Sequence, residues 1–305
     1  MYPKFYSNGK LLITGEYFVL DGAKALALPL KLGQSLQISE AEGSNSIIKW
    51  KTTVKGERWF LAEFRIDDFS IVDTNNIKSA NYIKILLNYI NQNSLFFRNL
   101  SRQLILEANV DFPMDWGLGS SSTLISNLAN MAGIDPYKML FALSKGSGYD
   151  IACATAKGPI LYSNMDKPTL DYAYFKPTFS KNLYFVYLGR KQDTAKSIDM
   201  LSSKVFDRRA EAERISELTN LVVNSKSLDE FNGYLNEHEE VVSRAIGLAT
   251  VKSELFSDFK GTVKSLGAWG GDFVLATHPG AADEVVNYFR LRGFNVILNY
   301  NDIVL

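Results

Sequence analysis

The sequence is poor in the residues that build covalent or metal-clipped scaffolds. Of its 305 residues one is cysteine, Cys153, and two are histidine, His238 and His278. A single cysteine cannot close an intrachain disulfide, and two histidines far apart offer no zinc-ligand spacing, so neither a disulfide framework nor structural zinc is expected. An excess of charge of one sign is missing too. Thirty-three Lys and Arg balance thirty-three Asp and Glu, with no long block of either, which argues against a nucleic-acid backbone or an anionic membrane as partner. No apolar stretch approaches the roughly 18 residues that span a bilayer. The opening "MYPKFYSNGKLLITGEYFVL" lacks a signal-peptide plan, because Gly15 and Glu16 interrupt its apolar run and no clear cleavage site follows. The expectation is a cytoplasmic globular protein.

What is present can fill a core: 46% of the residues are hydrophobic, in a chain long enough for one large domain or two ordinary ones. The first 75 residues alternate in the β manner, in "KLLITGEYFVL", "ALALPLKLGQSLQIS", "SIIKWKTTV" and "RWFLAEFRI", and predict an antiparallel sheet. A helix is predicted over Ile77 to Asn91, then a strand "RQLILEANVDF", a helix "STLISNLANMAG" ending at Gly133, and another that starts at the Asp135 cap with Pro136 in its first turn. After the strand "PILYS" a polar stretch with Pro168 and Pro177 sets the expected domain boundary near Lys167, giving domains 1–167 and 168–305. The second begins with "NLYFVYLG" and continues with long helices over Thr194 to Asn224 and Leu228 to Gly247. A glycine turn between two strands, a helix and a last strand "NVILNY" follow. Sheets with segregated helices indicate an α+β fold.

The familiar nucleotide signatures are absent. The one Gly-Lys pair, Gly9 and Lys10, is followed by Leu11 and lacks the upstream glycine of a Walker A loop; "GLGSSS" misses the third glycine of a dinucleotide fingerprint; and there is no "HRD", "DFG", "HExxH" or "GxSxG". What remains is a set of glycine-bearing segments beside polar residues: "SNGKLLITGEY" (7–17), "PMDWGLGSSST" (113–123), "GSGYDIA" (146–152) and "SLGAWGGDFVLA" (265–276). A run of backbone N–H groups leading into a helix N-terminus suits phosphate oxygens, with Gly117 and Gly119 letting the backbone come close. A serine-capped helix behind a glycine turn is the plain alternative for that run taken by itself.

In order and spacing the set resembles the GHMP kinases, the superfamily of galactokinase, homoserine kinase, mevalonate kinase and phosphomevalonate kinase. Pro-x-x-x-Gly-Leu-Gly-Ser-Ser is matched without a gap from Pro113 to Ser121. Tyr17 after Gly15 and Glu16, together with "GSGYD", is more similar to phosphomevalonate kinases than to mevalonate kinases. The resemblance implies two domains, an N-terminal ribosomal-protein-S5-domain-2-like one and a C-terminal ferredoxin-like α/β sandwich. It implies ATP on Gly117, Leu118, Gly119, Ser120, Ser121 and Ser122, and Mg2+ held in part by Ser121. Asp150 would be base or electrostatic partner and Lys10 its helper. The acceptor would be a hydroxy acid or its phosphate, probed by Glu16, Tyr17, Lys191, Thr194, Gly270 and Gly271; a homodimer is one option for the assembly. Glu16, in an apolar β segment, is read foremost as a structural carboxylate in need of partners, and Cys153 as a small buried residue. Two departures stand out. No glutamate lies between Glu107 and Glu211 to help hold magnesium, and the stretch from Ser122 to Asp150 is short for the family. A decarboxylase of the same superfamily and a non-catalytic ligand-binding protein are the rival readings.

Overall fold

A computed structural model describes residues 3–41, 46–99, 103–189, 207–267 and 269–305. The chain forms two compact units that interleave in sequence: Met1–Gly9, Leu32–Met114 and Leu118–Thr155 make the first, and Lys10–Lys31, Asp115–Gly117 and Ala156–Leu305 the second. Contacts thus group 10–31 and 156–167 with the C-terminal residues.

In the first unit, strands β3 (Ile47–Val54), β4 (Glu57–Arg65), β5 (Ile71–Thr74) and β6 (Gln103–Val110) join the C-terminal half of the long β2 (Ala25–Ala41) in the order β5-β4-β3-β6-β2. The predicted antiparallel pairing holds for β3–β4 and β4–β5, but β2 and β3 are not neighbours. β6 inserts between them, antiparallel to β2 and parallel to β3. Nothing local dictates that choice, since an alternating strand pairs equally well on either side. β3 and β4 turn at Lys55 and Gly56, both with positive φ (52° and 85°), the backbone that a two-residue hairpin requires. Helix α1 (Ile77–Asn93) is capped by Asn76, whose side chain accepts from Ser79 N–H. It buries Ala80, Ile83, Leu86, Leu87 and Ile90 in the core formed with Trp50, Phe60, Phe64, Leu104 and Leu106. The 3.6-residue spacing of those five side chains is what commits the segment to a helix on this sheet. Helices α2 (Ser120–Ala132), α3 (Pro136–Leu143) and α4 (Tyr149–Thr155) complete the unit. Gly133 ends α2 in left-handed backbone, and Asp135 caps α3 with Pro136 inside its first turn, as expected.

In the second unit β9 (Leu183–Tyr187), β10 (Thr262–Leu266), β11 (Phe273–Thr277) and β12 (Ile297–Asn299) form an antiparallel sheet ordered β10-β11-β9-β12. Numbered along the sheet's own strands this is 2-3-1-4, the ferredoxin-like arrangement. Helices α5 (Arg208–Asn224), α6 (Leu228–Ile246), α7 (Val251–Leu255), α8 (Ala282–Arg290) and the C-terminal turn α9 (Tyr300–Ile303) surround it. One sheet face, with Tyr184, Val186, Val263 and Val274, packs on Phe256 of the α7 region and on Val285 and Phe289 of α8. Opposite residues Leu183, Phe185 and Leu275 are also buried. Burial on both faces explains why β9 reads as an unbroken apolar run. The N-terminal half of β2 pairs with β7 (Ile160–Asn164), which carries β8 (Pro168–Tyr172) at the edge. α6 ends at Gly247 in left-handed backbone, as its sequence predicts, whereas α5 is described only from Arg208.

Candidate functional site

Helix α2 begins without a side-chain cap. Its N-cap is Gly119, at φ 94°, and no side chain accepts from the first turn; the amides of residues 120–122 are the donors that an α-helix leaves unpaired at its start. The serine hydroxyls do not take over that task. Ser122 is 4% exposed, and its Oγ donates to Gly119 O at 3.0 Å; Thr123 Oγ1 bonds Gly119 O, Ser120 O and Gln34 Oε1. The helix is anchored from below by buried polar contacts: Ser7 Oγ with Ser126 Oγ and Asn127 Oδ1, each at 2.9 Å, and Asn127 Nδ2 with Gln34 O at 2.9 Å. Sequence reasoning missed these four residues. Their signal was Thr123, Ser126 and Asn127 at helical spacing on an otherwise apolar face.

Two motifs approach the loop in the first unit. A Cβ on Gly9 would lie 2.8 Å from Leu32 O and 3.1 Å from Leu118 O, so only glycine lets β1 (Lys4–Leu12) pass this close to the loop backbone. Asp150 stands in the first turn of α4, its Oδ1 accepting from Ile151 N–H at 3.0 Å. Its charge reaches two tyrosines. Burial first, and then Asp150, raises the pKa of Tyr82, against which the Ser121 hydroxyl works in the other direction. Tyr137 is pushed up to about 12, mainly by burial, then by Cys153, Asp150 and Asp135. Tyr82 is thus under the influence of both the Ser121 hydroxyl and the Asp150 charge.

In the second unit three motifs converge on Gly117. Lys10 Nζ donates to Gly117 O at 2.9 Å. Gly117 has φ 67°, and a Cβ there would sit 1.8 Å from Asp272 Oδ2, inside the carboxylate. Asp272 closes the turn between β10 and β11, in which Leu266 pairs with Phe273, and its carbonyl accepts from Leu188 N–H at 2.9 Å. The residues before Gly117 are held from the same sheet: Tyr187 hydroxyl donates to Asp115, and the Trp116 ring packs on Tyr187 and edge-on against Phe273.

The expected substrate contacts fare differently. Glu16 is 1% exposed and bonded to Lys264 Nζ at 2.5 Å; burial raises its pKa, and Lys264 opposes the rise. Tyr17 is 5% exposed, and its hydroxyl accepts from Trp269 N–H at 2.7 Å. Both side chains are occupied within the protein, the structural alternative read for Glu16. Trp269 is core material, packed with Tyr17, Ala245 and Ile246 and bonded through Nε1 to Ala249 O. Gly270 and Gly271 lie in the β10–β11 turn, where Gly270 N–H meets Ser265 Oγ at 3.4 Å. Lys191 and Thr194 lie outside the described residues. Cys153 is buried, as read. No three His, Cys, Asp or Glu side chains among the described residues are grouped to hold a metal ion. A magnesium ion held by a hydroxyl and a single carboxylate would need phosphate oxygens of a bound ligand and water for most of its coordination. Among the described residues no helix is long and apolar enough to cross a membrane.

No protein-family profile and no curated protein matches the chain. Solved structures do. The mevalonate kinase of Methanococcus jannaschii is 16% identical, with 98% of each chain covered and a TM-score of 0.68. The Streptococcus pneumoniae phosphomevalonate kinase is 16% identical over 98% of both chains, with a TM-score of 0.71. Its complex with phosphomevalonate and AMPPNP is 15% identical, covering 97% of this chain and 99% of that one, with a TM-score of 0.66. Identities this low speak to architecture alone: over nearly its whole length the chain has the α+β fold of the GHMP kinases.

Proposed function

We propose that the protein is an ATP- and Mg2+-dependent small-molecule kinase that phosphorylates a hydroxy acid or its phosphate, with mevalonate and phosphomevalonate the leading acceptors. The observation that carries this reading is the meeting of Lys10 and Asp272 at Gly117, next to a helix N-terminus with no side-chain cap. Bound ATP supplies the phosphoryl group, and Mg2+ neutralises part of its charge. The chain's own residues bind and orient. The amides of Ser120, Ser121 and Ser122 and the positive end of α2 hold phosphate oxygens in place. Gly119 adds no side chain to that surface, and the Ser121 hydroxyl would be one of the groups that hold the metal. Asp150 accepts the proton of the acceptor hydroxyl or stabilises its loss, and Lys10, already fixed to the loop, steadies developing negative charge. Lys191 and Thr194 are assigned to the acceptor, Gly270 and Gly271 to the backbone around it. Glu16 and Tyr17, expected to contact the acceptor, are instead given a structural part through Lys264 and Trp269. A cytoplasmic setting and a sequence boundary near Lys167 belong to the same reading.

A coupled ADP-release screen with mevalonate, phosphomevalonate, homoserine and several sugars tests it. Turnover with one acceptor, together with an Asp150→Ala variant that still binds AMPPNP and loses about 10²–10⁴-fold in kcat, is the expected result. Release of carbon dioxide from an acid substrate would move the assignment to the decarboxylase branch. AMPPNP binding with no ADP release from any acceptor would make the protein a ligand-binding member of the fold.

A further inference from the structure

A buried charged cluster lies under the β10–β11 turn, and the function proposed above makes no use of it. Lys264, on β10, is 1% exposed. Its Nζ donates to Glu16 Oε1 at 2.5 Å and to Ser265 O at 2.8 Å, and stands 3.7 Å from Glu239 Oε2. On α6, Glu239 Oε1 accepts from Ser265 N–H at 3.0 Å, and His238, fully buried, accepts Gly15 N–H on Nε2 at 2.9 Å. Glu16 Oε2 is 3.5 Å from that nitrogen. Glu16 Oε2, Glu239 Oε2 and His238 Nδ1 are buried without a hydrogen-bond partner.

Stability does not explain such an arrangement, because well-packed apolar side chains would serve as well or better. Its geometry does. The four side chains come from three segments: the bend after β1, helix α6 and strand β10. They tie the bend at Gly15–Tyr17 to the base of the turn that follows β10. A second tie runs alongside, from Trp269 N–H to the Tyr17 hydroxyl. Tyr17 has φ 63° without being glycine, a strained conformation that persists only where its surroundings hold it. The turn fixed at this end is the one whose other end, Asp272, fills the space against Gly117.

We propose that Lys264 is a positioning residue for the phosphate loop: by holding Glu16 it sets the β10–β11 turn, and through Asp272 the turn seats Gly117. This rests on the reading that Gly117 to Ser122 bind the phosphates of ATP. Lys264 touches no nucleotide in this scheme and acts only through the turn. AMPPNP titration of wild type, Lys264→Met and the amide pair Glu16→Gln/Lys264→Gln tests it, with Leu86→Ala as a control destabilised in the other unit's core. Lys264→Met is expected to bind AMPPNP about tenfold more weakly, in the usual range for coupling between sites. KM for ATP should rise in parallel while kcat at saturating nucleotide stays close to wild type. The amide pair, which preserves a hydrogen bond in place of the ion pair, should fall between, and Leu86→Ala should bind like wild type. If the amide pair and any folded Lys264→Met bind AMPPNP like wild type, the inference is wrong; should Lys264→Met not fold, the amide pair decides. A wild type that fails to bind AMPPNP overturns the nucleotide reading, and this inference with it, a failure that the wild-type arm separates from the first.

Discussion

Glu239→Gln gives the buried cluster a pH signature. Burial is the largest influence on Glu239 and raises its pKa from 4.5 to about 7; the Glu16 charge adds to the rise, while Lys264 and the bonds from Ser265 oppose it. The folded protein therefore holds this proton more tightly than the unfolded chain does. That preference stabilises the fold fully below about pH 4.5 and is lost as pH rises to about 7. Beyond that point the fold carries a buried carboxylate. A shift of this size corresponds to about 3 kcal/mol, at about 1.4 kcal/mol per unit. Glutamine keeps the acceptor for Ser265 N–H and has no proton to lose. Burial first, and then Lys264, holds the pKa of His238 well below the usual imidazole range, and the substitution leaves that residue in place. Glu16, Lys264's nearer partner, is left in place. Glu239→Gln should thus lie within about 1 kcal/mol of wild type near pH 5 and exceed it by about 3 kcal/mol at pH 8, or roughly 5 °C in Tm for a chain of this size. Urea and thermal unfolding at pH 5, 6, 7 and 8 measure the difference. A variant whose stability runs parallel to wild type across that range, or falls below it at pH 8, refutes the argument.

Two further outcomes follow from the packing. Gly117→Ala places a methyl group inside the Asp272 carboxylate at a backbone angle that L residues avoid; AMPPNP binding should be lost, with an unfolding cost of about 1–3 kcal/mol from strain, read by calorimetry and titration. Leu86→Ala, at a fully buried α1 position, should cost about 2–5 kcal/mol in urea unfolding.

The parts of the fold that could be read from the sequence are those set by local rules. The α1 stripe, the Asp135–Pro136 start of α3 and the glycine ends of α2 and α6 are each decided within a few residues by periodicity, capping or left-handed backbone. The place of β6 between β2 and β3 was not legible, because strand order is set by which edges remain free after long-range collapse. The interleaving of the units was hidden for a related reason. Residues 115–117 are three in number, and no change of composition marks a segment so short.

The site was legible as types of residue and not as contacts. Glycine at 117 and 119 signalled close approach, and in both cases φ is positive. What Gly117 makes room for could not be read, since Asp272 is remote in sequence and belongs to a different motif. The same limit applied to Glu16. A carboxylate in an apolar strand must find partners, but Lys264 and His238 came from segments whose sequence, "TVKSLG" and "NEHEEVV", reads as an ordinary strand and an ordinary amphipathic helix. A charged residue at an apolar position of each of two distant segments is a signal only when the two are considered as a pair. Lys264, on a β10 strand whose five residues are all buried, and Glu239, on the buried side of α6, each violate the local pattern, and each violation is compensated by the other and by Glu16. Such paired exceptions are where tertiary structure overrides local preference, and here they lie directly beneath the turn that meets the glycine loop.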